Sequence, residues 1–551
     1  MRDLLLRFSV ASLTATLLIT EALSPFHLLR PLPVALAWTA VAVFAAYRYR
    51  NLKSPRLPKW QPFEAAVAVA IAAIAIAVFL AAAFSPPNSA DAMAYHLPRV
   101  LYWAQSGSVA FFHTPYFNQV MLQPLDEYVM LHQWLLFGGD RFINLIAFAA
   151  YLGSILGVSA IASAAGLNSR AQAVAALFCA TLPNFILQAS GAKNDALLAF
   201  LLVAMVYFGL RGDIPFAALS LALALATKGT AYLFIPPLLL LFRLNWKRFA
   251  ILAAAAVLLL NGPQYWRNIK LSGSPLGFDS AQGDGFYRWR NDHPGLKSTV
   301  SNFLRNTSEQ LGDRRQSWNT AVYNTVLRLH AALGLDPDDP ATTWPYARFQ
   351  PPINANHEAN ANNRWHLLVL AIALCFIRRR FWALYAAALV AAFLLFCFYL
   401  RWQPFLARLE LPLFVVAAPL AGLLRPKIVA LIACVFLLTT ARRPALQNWT
   451  RPLRGPSNVF VTPRNRQYFA DMDQFHNRDL YLRAVDDAVH SGCKTIGVDI
   501  RQFTLEYPFE ALVRERVPGV VFVHSGDPSG PKPCAVLTLG PFTWSGILTS
   551  Q

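Results

Sequence analysis

The chain has 551 residues, 56% of them hydrophobic and only 14% charged, against about a quarter charged in an ordinary soluble domain. Its formal net charge of +19 would suggest a nucleic-acid partner in a soluble protein. Here the apolar residues come in long blocks with the basic residues between them, which excludes that reading and points to a polytopic helical membrane protein.

In chain order, the apolar blocks 5–24, 33–46, 63–84, 142–165, 171–190, 196–210, 214–227, 230–242, 249–261, 366–377, 381–400, 411–424 and 428–440 read as spans. That is about thirteen transmembrane helices, several shorter than the ~20 residues of a full crossing and therefore candidates for broken or merged helices. The first block has a basic flank but no small-residue cleavage site, so it is expected to be retained as a span. Basic loops free of acid follow at 48–59, Lys247-Arg248, Arg378–Arg380 and Arg425–Lys427. The positive-inside rule puts these loops and the N-terminus, with Arg2 and Arg7, in the cytoplasm. Alternation then places 85–140, 262–365 and the tail outside, as expected of a multi-pass protein of a bacterial inner membrane.

The 85–140 loop carries apolar positions (Tyr95, Leu97, Val100, Leu101 and Trp103, then Val129, Leu131, Trp134 and Leu135) that predict interfacial amphipathic helices. The transmembrane unit is expected to run from 1 to 455. From 456 to 551 the pattern changes to a helix at 479–491, a strand at Thr495–Asp499, a helix near 507–515 and strands at Val520–Val523 and Ala535–Leu539, a small extracytoplasmic α/β domain. Cys179, Cys375, Cys397 and Cys434 fall in spans as packing residues. Cys493 and Cys534 lie in the tail, either paired in an oxidising compartment or as two buried thiols. No Walker motif or dinucleotide-binding glycine pattern is present.

Charged groups at the ends of spans are the places to look for chemistry, because they are costly unless partnered or used. Asp91 follows one span and precedes Tyr95-His96-Leu97-Pro98-Arg99; it is either a base for an acceptor hydroxyl or amine, or a helix N-cap. Asp126 and Glu127 follow Pro124, where first-turn acids also favour the helix dipole. Asn194-Asp195 sits in a polar turn between two spans on the side of Asp91. Lys228 lies between two apolar runs with almost no loop and needs a partner, for which a lipid phosphate would serve. Arg267, Arg401 and Arg408 occupy outer turns and complete a candidate cationic ring for a phosphate, or act singly as interfacial anchors. His357 and His366 match no standard zinc spacing.

The order of these pieces over residues 85–424 resembles the GT-C fold glycosyltransferases. The segments that carry it are Asp91 with Tyr95–Arg99, Pro124 with Glu127, Pro183 through Lys193-Asn194-Asp195, Ala226–Thr230 before Pro236-Pro237, and Arg408–Pro412. The bacterial branch with protein mannosyltransferases and lipid A aminoarabinose transferases is the most similar. The resemblance implies a polyprenyl-phosphate sugar donor, an extracytoplasmic acceptor (glycan, lipid or protein), Asp91 and Glu127 as acidic catalytic positions, and Lys228 with Arg267 on the carrier phosphate. Tyr95, His96, Arg99, Asn194, Asp195 and Arg408 would line the substrate. The oligosaccharyl branch uses closely spaced acidic pairs with a divalent metal, whereas Asp91 here is followed by Ala92-Met93, so no metal is indicated. A lipid-linked-glycan flippase or a polysaccharide polymerase or ligase is the alternative; the former is disfavoured by the lack of two corresponding broken helices.

Overall fold

The computed structural model describes residues 1–51, 60–278, 288–345, 347–471, 475–501, 504–528, 530–539 and 546–550. Residues 52–59 of the basic 48–59 loop, and 279–287 and 346 of the long 262–365 segment, lie outside these. The chain is an all-α, multi-pass bundle followed by a small α/β unit. Among the described residues, seven helices are long and apolar enough to cross a membrane: Arg2–Phe26, Pro31–Tyr49, Pro62–Phe84, Leu145–Ala164, Trp246–Ser272, Arg380–Tyr399 and Lys427–Leu446. Four shorter apolar helices, Asp195–Leu210, Ile214–Thr227, Arg364–Leu374 and Leu411–Ala421, accompany them. The predicted block 171–190 is a broken helix, Ser169–Thr181 then Pro183–Gln188, because Pro183 lacks the N–H that would continue the ladder. Asp195–Leu210 is buried on nearly every face, which is why its sequence shows no polar stripe.

Polar contacts sort the helix ends into two layers. One layer joins Arg2 to Ser159 and Gln172, Asp3 to Tyr207, Arg7 to Asp213, and Glu64 to Ser169. The other joins Glu21 to Arg267, Asn88 to the backbone of Thr450 and Gln467, Asp195 to Lys228, and Asp91 to Arg408. Alternation of the spans requires this pairing of ends.

Two sequence expectations change. The Leu97–Ser106 and Leu125–Phe137 helices bury most of the apolar positions expected to face lipid. Leu97, Val100, Leu101 and Leu131 are fully buried, since the two helices pack on each other and the C-terminal unit covers them: Gln105 exchanges hydrogen bonds with the Phe522 backbone at 2.9 and 3.1 Å. The long 262–365 segment is also more ordered than a loop, with helices Leu296–Glu309 and Gln316–Ala332.

In the tail, β1 (Thr495–Asp499), β2 (Val521–His524), β3 (Ala535–Leu539) and β4 (Gly546–Ser550) form one sheet in the order β2-β1-β3-β4. β1 runs parallel to both β2 and β3, and β4 returns antiparallel to β3. β4 was not foreseen. Helix Tyr507–Arg516 supplies the crossover that the parallel β1 and β2 need, and helix Phe475–His490 precedes β1. Cys493 and Cys534 are joined by a disulfide between the approaches to β1 and β3, which decides between the two alternatives left open by the sequence.

Candidate active site

The 62–84 helix ends at Phe84, and the chain then turns through Pro86-Pro87 into a short π-helix, Ala92–His96. Such wide turns recur at functional sites. Asp91 stands at its N-terminus but makes no capping hydrogen bond; Ser89 Oγ accepts from the Ala92 N–H instead, at 3.4 Å. Asp91 turns to Arg408, whose Nη1 donates to Oδ2 at 2.5 Å. Burial opposes ionisation of Asp91, but the Arg408 guanidinium, then Lys193, His96 and Lys228, outweigh it and hold the carboxyl well below its usual range.

Lys228 caps the end of Ile214–Thr227 and donates to Asp195 Oδ1 at 2.6 Å. Asn194 Nδ2 donates to the Thr227 carbonyl at 3.1 Å, so the two polar turns predicted as separate features lock together. Beside them, burial and then the neighbouring Glu127 and Asp195 push the Asp126 carboxyl well above its usual range, and its Oδ2 has no hydrogen-bond partner among the described residues.

Accessibility divides the charged groups. The side chains of Asp91, Arg408 and Lys228 remain 12%, 16% and 19% exposed. Glu127, Arg99 and His96 are sealed: Glu127 accepts from Arg99 at 3.3 Å and meets His96 Nδ1 at 3.0 Å. Arg99 also donates to the Val120 and Leu122 carbonyls and lies 4.5 Å over the Trp103 ring. The Tyr95 ring is tilted against His96 at 4.3 Å and meets Tyr116 edge-on at 6.1 Å, half-buried beside Asp91.

The predicted cationic ring splits. Arg408 and Lys228 both act on Asp91. Arg267 instead pairs with Glu21 at 2.6 Å and donates to Tyr128 at 2.8 Å. Arg401 is buried in the 262–365 segment, donating to the Arg290 and Pro340 carbonyls and paired with Asp292, so it is removed from the ring. His366 meets Thr181 Oγ1 at 3.0 Å and His357 meets Asp471. Among the described residues, no group of three or more His, Cys, Asp or Glu is placed to hold a metal ion.

No family model matches the chain, and neither does any curated protein. Among solved structures, the chain is similar to ArnT from Cupriavidus metallidurans in its crystal structure bound to undecaprenyl phosphate: 14% identity over 86% of this chain and 93% of that one, with a TM-score of 0.47. The apo crystal structure of the same protein gives 13% identity over the same shares and a TM-score of 0.48.

Several groups around Asp91 were not singled out from the sequence. Glu21 had a signal, a lone carboxylate inside an apolar run, which needs a partner. Glu358, Arg451, Asp471 and Glu506 had none, because their partners lie far away in sequence. Arg451 Nη1 donates to Asn88 Oδ1 at 2.6 Å, and the Ala90 N–H donates to Asp471 Oδ2 at 2.6 Å. On the other side of Asp91, Gln119 Nε2 donates to the Ala94 carbonyl at 3.0 Å and to Glu506 Oε1 at 2.5 Å. The segment bearing Asp91 is therefore held from both flanks by residues after 449.

Glu506 Oε2 in turn meets His524 Nε2 at 2.9 Å, while His524 Nδ1 faces the His113 carbonyl at 2.8 Å. Burial disfavours the charged imidazole, but Glu506 and the His113 carbonyl outweigh it and raise the His524 pKa above its ordinary 6.5. A raised histidine contributes its full stability below the unfolded value and loses it as pH climbs through the folded one. The melting temperature of the purified protein is expected to fall as pH rises from about 6 to about 9, and His524→Gln to flatten that slope. An unchanged slope in His524→Gln would remove this pair as the cause.

Proposed function

We propose that this protein is an integral-membrane glycosyltransferase of the GT-C type, moving a sugar from a polyprenyl-phosphate carrier to an extracytoplasmic glycan, lipid or protein. What supports the reading is one arrangement: a partly exposed carboxylate, Asp91, is paired with one partly exposed cation, Arg408, near a second, Lys228, beside the sealed cluster of Glu127, His96 and Arg99 at the ends of the spans. A lipid phosphate held there meets charge where water is scarce, so each contact is worth more than in bulk solvent.

In the proposed reaction the acceptor oxygen or nitrogen attacks the anomeric carbon and forms the new glycosidic bond. The bond from that carbon to the phosphate oxygen breaks, and the carrier phosphate leaves with the electron pair. Asp91 takes the acceptor's proton. Lys228 and Arg408 stabilise the charge gathering on the phosphate. Arg408 links the two halves: while it is bound to Asp91 the carboxylate is a weak base, and a phosphate drawing Arg408 away strengthens it. A single displacement inverts the anomeric centre. Glu127, His96 and Arg99 order the loop beneath Asp91, and Arg267 braces the Leu125–Phe137 helix through Tyr128.

Donor binding tests this reading. Lys228→Met also strips Asp195 of its partner, so it is combined with Asp195→Asn to keep the site neutral. The double variant is expected to bind polyprenyl-phosphate sugar roughly 10- to 150-fold more weakly, as loss of about 1.5–3 kcal/mol of charged hydrogen bonding requires. Unchanged affinity in a binding titration would take Lys228 out of the phosphate site.

A further inference from the structure

The layer opposite Asp91 carries a groove that the proposed reaction does not use. It lies between the Pro62–Phe84, Leu145–Ala164 and Ser169–Thr181 helices and the start of Arg2–Leu23, with a volume of about 840 Å³. Its long walls are apolar, including Ile71, Ala75, Phe79, Phe148 and Leu152. Its mouth is polar and contains both signs of charge, Arg2 and Glu64. From Glu64 to Phe79 the helix rises about 22 Å at ~1.5 Å per residue. One leaflet contributes half of a ~30 Å hydrocarbon core, so the groove spans a full leaflet.

The two charged groups are held rather than waving. Arg2 Nη1 donates to Ser159 Oγ at 2.5 Å and to Gln172 Oε1 at 3.0 Å. Glu64 Oε1 accepts from Ser169 Oγ at 2.8 Å, while its Oε2 is buried with no hydrogen-bond partner among the described residues. A buried carboxylate oxygen without a donor is costly. Neither Arg2 nor Glu64 has an ion-pair partner among the described residues, so a headgroup ammonium beside the Ser169-bound oxygen of Glu64 and a phosphate at the Arg2 guanidinium would pair both charges.

We infer that this groove is a binding site for one zwitterionic aminophospholipid of the leaflet on the Arg2 side. A lipid chain lies against Ala75 and Phe79, the phosphate meets Arg2, and the headgroup ammonium meets Glu64. An anionic headgroup fits less well, because it brings a phosphate to Arg2 but nothing to Glu64. The site is independent of sugar transfer and stands or falls without it.

The test is native mass spectrometry of the full chain released from mixed micelles of equal phosphatidylethanolamine and phosphatidylglycerol. Wild type is expected to carry one phosphatidylethanolamine. Arg2→Ala should lower its occupancy roughly tenfold, and Glu64→Gln should shift the bound lipid to phosphatidylglycerol. Ala75→Phe fills the apolar wall without touching the polar mouth and should exclude both, which keeps the inference testable if Arg2→Ala folds poorly. Equal occupancy in wild type and Ala75→Phe, or a preference of wild type for phosphatidylglycerol, overturns it.

Discussion

Replacing Asp91 by Asn is expected to leave the protein folded and able to bind its lipid donor, and to slow sugar transfer by about 10²- to 10⁴-fold, the range for loss of a general base. Asn keeps the size of the side chain and an oxygen for Arg408 Nη1, which now donates at 2.5 Å. It cannot take a proton. The same replacement would cost little in either respect if Asp91 were only a helix cap, yet its side chain caps nothing. Single-turnover transfer from a radiolabelled polyprenyl-phosphate sugar reads the effect, and a variant that turned over at the wild-type rate would end the assignment. The pH profile adds a second check. Arg408 holds Asp91 well below the usual carboxylate range, so its stabilising ion pair and its basic form both persist above the ordinary value and are lost only as pH falls through the depressed one. In kcat/KM, which reports the free protein with Arg408 still on Asp91, no Asp91 limb is therefore expected in the mildly acidic range.

Glu358→Ala is expected to be the most destabilising single change near the site. Glu358 is fully buried, pairs with the fully buried Arg451 and sits 3.1 Å from Lys193. Its removal leaves two buried cations without their carboxylate, which costs about 3–5 kcal/mol. Arg451 also anchors Asn88, three residues before Asp91, so the loss should loosen the Asp91 segment as well as the fold. A melting curve of the purified protein reads the first effect. Adding Arg451→Met to Glu358→Ala should restore part of the stability, since an apolar replacement of a buried pair is often tolerated. A Glu358→Ala protein that melts with the wild type would show that the pair is not a keystone.

The contacts on both flanks of Asp91 give the tail a role that its sequence left open. Asn88, Ala90 and Ala94 are bound by the backbone of Thr450 and Gln467, by Asp471 and, through Gln119, by Glu506. Asp140 accepts from Tyr468 and Tyr507 at 2.6 and 2.9 Å and pairs with Arg464, which fastens the far end of the 85–140 loop to the same unit. These bonds brace the candidate catalytic loop from outside the membrane layer.

Much of this molecule was written locally. Long apolar runs marked the helices, but of the thirteen predicted blocks only seven are helices long and apolar enough to cross a membrane among the described residues; the others are shorter or broken by Pro. Alternating hydrophobicity determined β1 and β3, whose bounds match the expectation, while β2 shifted by one residue. Asp91 and Lys228 were legible as charges that a membrane boundary tolerates only with a partner. What the sequence could not decide was which partner. Asp91 and Arg408, Lys193 and Glu358, and Arg267 and Glu21 are joined by helix packing across long stretches of chain. The burial of Glu127, His96 and Arg99 was equally invisible, because their partners, one another and the Val120 and Leu122 carbonyls, meet only when the 85–140 segment folds back on itself. The tertiary structure alone separated the sealed Glu127, His96 and Arg99 from Asp91, Arg408, Lys228, Glu21 and Arg267, which keep partial exposure. Solvation and pairing depend on distance in space, and the sequence records only distance along the chain.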